Sequence, residues 1–170
     1  MKNIILIGMP GSGKSTVGVL LAKALGYGFL DVDLVIQQRE GALLQDIIDT
    51  RGVDHFLERE DAAVCSVDCE GCVIAPGGSA VLREGGAAHL KALGPVVYLK
   101  VPLEELQKRI RNLDSRGIAM RPGQTLADVL SYRAPLYEKY ADLVIDCSGE
   151  QPLDVTARKG LEQVAPLIRG

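Results

Sequence analysis

Apolar residues in this chain fall into short unbroken runs, separated by longer stretches in which they recur every three or four positions. That alternation is what buried strands and amphipathic helices produce. The first run, Asn3-Ile4-Ile5-Leu6-Ile7, shows no polar alternation and enters a glycine turn at Gly8, which predicts a central parallel strand buried on both faces. Over 14–25 the apolar residues Val17, Leu20, Leu21, Ala24 and Leu25 predict a helix, with Gly26 as its stop. Further strands are expected at 28–32, 72–75, 96–101 and 143–146. Helices are expected at 34–39, 43–50, 53–68, from the loop Pro76-Gly77-Gly78-Ser79 through Leu93, at 103–111, and from Thr125 to about Tyr140. Strands separated by helical patterns imply an α/β fold: a parallel sheet with helices on both faces.

Residues 112–124 break the rhythm. They hold few apolar side chains, two arginines (Arg116 and Arg121), two glycines and a proline, with no periodicity. This predicts a mobile surface loop, long enough to serve as a lid. In the helix that follows, Asp128 lies early and Lys139 late, in agreement with the helix dipole.

Length and charge narrow the class. The 170 residues suit one domain with a real core, and neither a repeat nor a linker interrupts 1–170. A formal net charge of −3 leaves no basic stripe for a run of nucleic-acid phosphates, so no nucleic-acid partner is expected. No apolar window is long enough to span a membrane, and Met1-Lys2-Asn3 runs directly into a strand rather than a signal peptide. A soluble cytoplasmic protein with no membrane partner is the expectation. Three of the four cysteines cluster as Cys65-x3-Cys69-x2-Cys72. The uneven spacing and the distant Cys147 fit reduced thiols in a helix and the next strand better than a zinc knuckle.

The chemistry is carried by Gly8-Met9-Pro10-Gly11-Ser12-Gly13-Lys14-Ser15, a G-x4-G-K-[ST] phosphate-binding loop placed between a buried strand and a helix start. Its glycines, Gly8, Gly11 and Gly13, let backbone amides around Ser12 converge on phosphates, and the helix N-terminus adds partial positive charge. Lys14 supplies a mobile cation, Ser15 is the expected Mg²⁺ ligand, and Thr16 lies beside it. The donor is therefore expected to be ATP with Mg²⁺. An Asn-Lys-x-Asp guanine signature is missing from the sequence, and a motor ATPase would be larger.

Phe29-Leu30-Asp31-Val32-Asp33 then resembles the strand-end Asp-x-Asp of the shikimate kinases, small relatives of the nucleoside monophosphate kinases. Period two is expected to aim both carboxylates the same way, into the crevice where doubly wound sheets bind ligands. The resemblance continues through Gly52-x3-Phe56-x3-Glu60, Gly77-Gly78-Ser79-Ala80-Val81, the loop with Arg116, and Arg133-x-Pro135-Leu136-Tyr137-x3-Ala141-Asp142. It implies a three-layer P-loop kinase with five parallel strands, acceptor-binding helices over about 33–60 and a lid over about 112–124. It also implies ATP-dependent conversion of shikimate to shikimate 3-phosphate, in aromatic amino-acid biosynthesis; separately, a monomer is expected.

By position, the resemblance implies that Asp31 helps hold Mg²⁺ through its water shell. It implies that Asp33 binds the acceptor hydroxyl and takes its proton, that Arg133 grips the acceptor carboxylate, and that the Gly77 and Gly78 amides face the acceptor. Arg109 matches the residue that stacks on adenine. Arg116 matches the lid arginine, with Arg121-Pro122 as a rival.

The acceptor side departs from the family pattern. Where shikimate kinases carry Phe-Arg, this chain has Phe56-Leu57, and the third glycine of the turn is Ser79. Loss of one bidentate grip on a partly buried carboxylate is worth about 2–4 kcal/mol, or ~30- to 1000-fold in affinity. Either Arg133, backbone amides and a further residue such as His55 hold the carboxylate, or the acceptor is another small hydroxylated molecule. A nucleoside monophosphate kinase is a further alternative, and so is a regulatory nucleotide-binding module.

Overall fold

The structure, a computed structural model, describes residues 1–111, 117–149 and 151–169. Among these, five strands form one parallel sheet in the order β2-β3-β1-β4-β5. β1 (Ile4–Ile7) lies at its centre and pairs with β3 (Cys72–Ala75) and β4 (Val96–Lys100), with Ile5 opposite both Ile74 and Val96. β2 (Gly28–Asp31) and β5 (Leu143–Asp146) are the edges. Every side chain of β1 is buried, which is why its sequence is apolar without alternation. α1 (Lys14–Leu25) and α8 (Leu153–Ile168) pack together over one face of the sheet. α5 (Glu84–Leu93) and α7 (Leu126–Tyr140) lie against β1 and β4 on the other face, with α4 (Val53–Cys65) beside α5. α2 (Val32–Glu40) and α3 (Leu44–Arg51) pack on α4, and α6 (Leu103–Arg109) follows β4.

Chain direction positions the functional edge. From β1 the chain crosses to β2 and returns through β3. It then crosses β1 to build β4 and β5 on the far side. The carboxyl ends of β1, β2 and β3 therefore face one crevice, the ligand-binding position of open α/β sheets.

Several elements differ from the sequence expectation. β2 ends at Asp31, and Val32 already belongs to α2, because the Asp31 side chain caps that helix by accepting from the Asp33 N–H at 3.0 Å. The segment after the glycine turn divides into a 3₁₀ turn, Ala80–Leu82, and α5. The second half of the expected surface loop is not a free surface segment. Ile118 and Ala119 are buried in the core, and the Gly117 N–H donates to Gln45 Oε1 at 3.1 Å. α7 begins with a capping box in which Thr125 and Asp128 satisfy each other's backbone N–H groups. α8 was not anticipated, although Leu153, Ala157, Gly160, Leu161 and Val164 carry helical spacing. The four cysteines are free: Cys65 ends α4, Cys72 opens β3, and Cys69 lies between them. No helix among the described residues is long and apolar enough to cross a membrane.

At the opposite end of the sheet, buried Asn3 ties three elements together. Its Nδ2 donates to the Cys69 carbonyl at 2.7 Å and the Leu93 carbonyl at 3.3 Å, while its Oδ1 accepts from the Cys72 N–H at 3.0 Å. Asn3→Ala would leave those groups unpaired in the interior, so it is expected to cost about 2–4 kcal/mol in urea unfolding without altering the native spectrum.

Candidate active site

The phosphate loop leaves β1 at Gly8, where φ is +149° and a Cβ would stand 2.8 Å from the Leu99 carbonyl oxygen. Only glycine allows the loop to turn this close to β4. Gly13, at φ +90°, ends the loop and caps α1 in a left-handed conformation. Between them, the buried Lys14 ammonium curls back into the loop and donates to the carbonyls of Gly8 and Met9, each at 2.9 Å. Ser12 is buried beneath it, with its Oγ 3.5 Å from Lys14 Nζ. Burial pulls the Lys14 pKa down to about 8, against the opposing attraction of Asp33.

Asp31 and Asp33 converge through the strand-to-helix junction rather than through strand periodicity: the first ends β2 and the second lies in the first turn of α2. Ser15 Oγ donates to Asp31 Oδ2 at 2.8 Å, linking the helix start to the strand end. Asp33 faces Lys14. Burial and the charge of Asp31 push its pKa up to about 6, and the lysine offsets part of that rise.

Glu60, on the buried face of α4, completes the anionic wall. It accepts a hydrogen bond from Ser79 Oγ, and its Oε2 is buried without a hydrogen-bond partner among the described residues. Burial pushes its pKa up to about 7, with the Ser79 hydrogen bond opposing the rise. Gly77 is wedged against this pair, since a Cβ there would lie 2.1 Å from Glu60 Oε2 and 3.0 Å from Asp33 Oδ1. The Gly78 carbonyl accepts from the Tyr137 hydroxyl, which anchors the turn to α7. Arg133, also on α7 and only 2% exposed, donates Nη2 to the Ala119 carbonyl at 3.0 Å.

These groups line a single cleft of about 270 Å³: Gly11, Gly13, Lys14, Ser15, Thr16, Asp31, Asp33, Gly77, Gly78, Ser79 and Arg133 all contribute to it. A cationic loop on one side and three carboxylates, Asp31, Asp33 and Glu60, on the other suit transfer of a phosphoryl group between a bound phosphate chain and a hydroxyl. Gly8 and Ser12 shape the loop from below. Leu57 lies outside this cleft and lines a neighbouring one.

Arg109 borders a third, shallower cleft with Glu105, Gln151, Pro152 and Leu153, and donates to the Gly11 carbonyl at 3.3 Å. Arg116 lies outside the described residues. Its rival Arg121 is exposed and paired with Asp54 at 2.8 Å, away from the phosphate loop. His55 does not reach the acceptor side either: its ring faces Glu40 at 3.9 Å, on the flank of α4 shared with Arg59. Sequence reasoning assigns no individual role to Glu60, Tyr137 or the 151–153 wall, and it places Ile118 and Ala119 only within the expected lid. Glu60 alone carried a visible signal, as a carboxylate on the apolar stripe of an amphipathic helix with Phe56, Ala63 and Val64.

Comparison with known proteins shows the family. The shikimate kinase family model matches residues 10–165. The chain is 41% identical to the shikimate kinase of Pseudomonas paraeruginosa over 172 residues, covering 98% of both chains, and 40% identical to that of Pseudomonas entomophila over 175 residues. Among solved structures it is similar to shikimate kinase from Acinetobacter baumannii in complex with shikimate, with TM-score 0.88, 33% identity, and coverage of 98% of this chain and 94% of the other. Shikimate kinase from Aquifex aeolicus gives a TM-score of 0.81 at 30% identity over 96% of each chain. A gluconokinase from Sinorhizobium meliloti, 21% identical with TM-score 0.53, shares the fold alone. Family match and near-complete coverage agree: this chain belongs to the shikimate kinase family.

Proposed function

We propose that this protein transfers the γ-phosphoryl group of ATP to a hydroxyl of shikimate. The observation that carries the reading is one continuous cleft in which Lys14 faces Asp33 and Arg133, in a fold similar to that of an A. baumannii kinase bound to shikimate. Lys14 is held by two neutral carbonyls. The anionic phosphates of ATP are stronger acceptors, so the ammonium exchanges onto them and follows charge to the bridging oxygen as the Pγ–O bond breaks. Asp33 aligns the acceptor hydroxyl and accepts its proton as the new P–O bond forms. Arg133 binds the acceptor carboxylate, and the Gly77 and Gly78 amides line its path. Ile118 and Ala119 close the acceptor end against water.

Ser15 and Asp31 present hard oxygen donors 2.8 Å apart beside the loop, a set that fits Mg²⁺. When bound there, the ion would neutralise charge on the β- and γ-phosphates. On the nucleotide side, Arg109 and Pro152 offer two surfaces for the adenine ring.

The direct test is ADP release coupled to shikimate addition. Saturable turnover with shikimate and none with nucleoside monophosphates is expected, and the reverse would overturn the reading. Lys14→Ala should lower kcat about 100-fold or more, and Asp33→Asn by about 10²–10⁴. Because the Asp33 pKa is raised to about 6, kcat/KM for shikimate should fall about tenfold per pH unit below that value.

The same shift fixes a sign for stability. The folded value of Asp33 lies above its unfolded value, so its stabilising contribution is present below about pH 4 and is lost as pH rises through about 6. Asp33→Asn is therefore expected to be about 3 kcal/mol more stable than wild type in denaturant unfolding at pH 8, and to lose that advantage at pH 4.

A further inference from the structure

A second cleft, of about 440 Å³, adjoins the first and shares Ala119 and Arg133 with it. Its apolar lining comes from Val53 and Leu57 on α4, Leu82, and Val129 on α7. Against this lining stand three arginines, Arg83, Arg121 and Arg133, and one carboxylate, Asp54. The carboxylate is already engaged: it lies on the exposed rim, paired with Arg121 at 2.8 Å. Among the described residues that line it, cations therefore outnumber carboxylates.

Arg83 is the unexplained member. Its Nε is buried and has no hydrogen-bond partner among the described residues. A guanidinium N–H withdrawn from water without an acceptor is costly, and such groups in native folds usually await a ligand or solvent. The backbone under it is well fixed. Arg83 is the N-cap residue of α5, its carbonyl accepts from the Ala87 N–H at 3.1 Å, and it follows directly on the 3₁₀ turn that succeeds the glycine turn. The side chain is thus carried on the same rigid stretch of chain as Gly77 and Gly78. Arg133, by contrast, has one of its donors committed to the Ala119 carbonyl.

We propose that Arg83 is a substrate-binding residue that completes, with Arg133, the site for the acceptor's carboxylate, supplying from the turn before α5 the second cation that α4 lacks at Leu57. The assignment rests on the shikimate reading above. Shikimate carries its carboxylate on one side of a six-membered ring and its hydroxyls on the other. With the hydroxyl at Asp33, the carboxylate reaches the Arg133 end, where the two clefts meet. Two planar forks of fixed charge then hold one planar anion, while Leu57 and Leu82 keep the pair out of water and so strengthen it.

The test compares Arg83→Ala, Arg83→Gln and Arg83→Lys with wild type, using shikimate and its neutral methyl ester as acceptors at saturating ATP. For Arg83→Ala the KM for shikimate should rise about 10- to 100-fold, with kcat reduced less than about threefold and the KM for ATP unaltered. Arg83→Lys should recover part of the loss. With the methyl ester, wild type and Arg83→Ala should differ less than about twofold, because the anion that Arg83 binds has been removed. Arg83→Gln keeps most of the stem and serves if the alanine variant does not fold. An unchanged KM for shikimate would overturn the proposal, as would an equal penalty on both acceptors, since a merely structural arginine would affect them alike. Absence of saturable turnover by wild type would instead refute the acceptor reading, and this assignment with it.

Discussion

Four ionisable side chains, Lys14, Asp33, Glu60 and Arg133, are drawn out of water at the carboxyl edge of the sheet, and they can be so only together. A lone buried charge costs several kcal/mol, whereas two cations facing two carboxylates return much of that cost as mutual attraction. The compensation is incomplete. Burial dominates the shifts of Lys14, Asp33 and Glu60, leaving the lysine near pKa 8 and the carboxylates near 6 and 7. A site tuned this way holds groups that give or take a proton close to neutrality, at the expense of stability.

The backbone accepts this arrangement because glycines stand where side chains would collide with it. Gly8 lets the loop pass the β4 carbonyl, and Gly77 brings its chain against the Glu60 and Asp33 carboxylates. Neither contact is local in sequence. Gly77 lies on the turn after β3, Glu60 on α4 and Asp33 on α2, and the register of β3 between β1 and β2 is what sets them side by side. Tyr137 then pins the turn from α7, so the donor loop, the acceptor turn and the arginine helix share one rigid frame.

Against that frame the two substitutions in the acceptor wall have different consequences. Ser79 is absorbed by the protein: its hydroxyl is directed to Glu60 and buried with it. Leu57 leaves an apolar patch in a cleft whose described lining holds more cations than carboxylates. Specificity in such a site depends on where the cations stand around the anion rather than on which helix carries them.

The nucleotide half of the site was legible in the sequence because it is built from one contiguous stretch. A buried strand, a glycine loop and a helix start specify their own geometry through local backbone rules, and Gly8 to Ser15 needed no partner to be recognised. Residue order along the chain also carried Asp31, Asp33, Gly77, Gly78 and Arg133 through resemblance. Tertiary structure decided what depends on contacts between distant segments. That includes the direction His55 takes toward Glu40, the burial of Ile118 and Ala119 in a stretch that reads as loop, and the use of α8 as a wall beside Arg109. Arg83 belongs to the same class. Its neighbours in sequence mark it as an ordinary arginine before a helix, and only the assembled fold withdraws its Nε from water beside a cleft lined by α4 and α7. Local patterns set the elements, but the desolvation that makes a side chain reactive or selective is a property of the assembled fold.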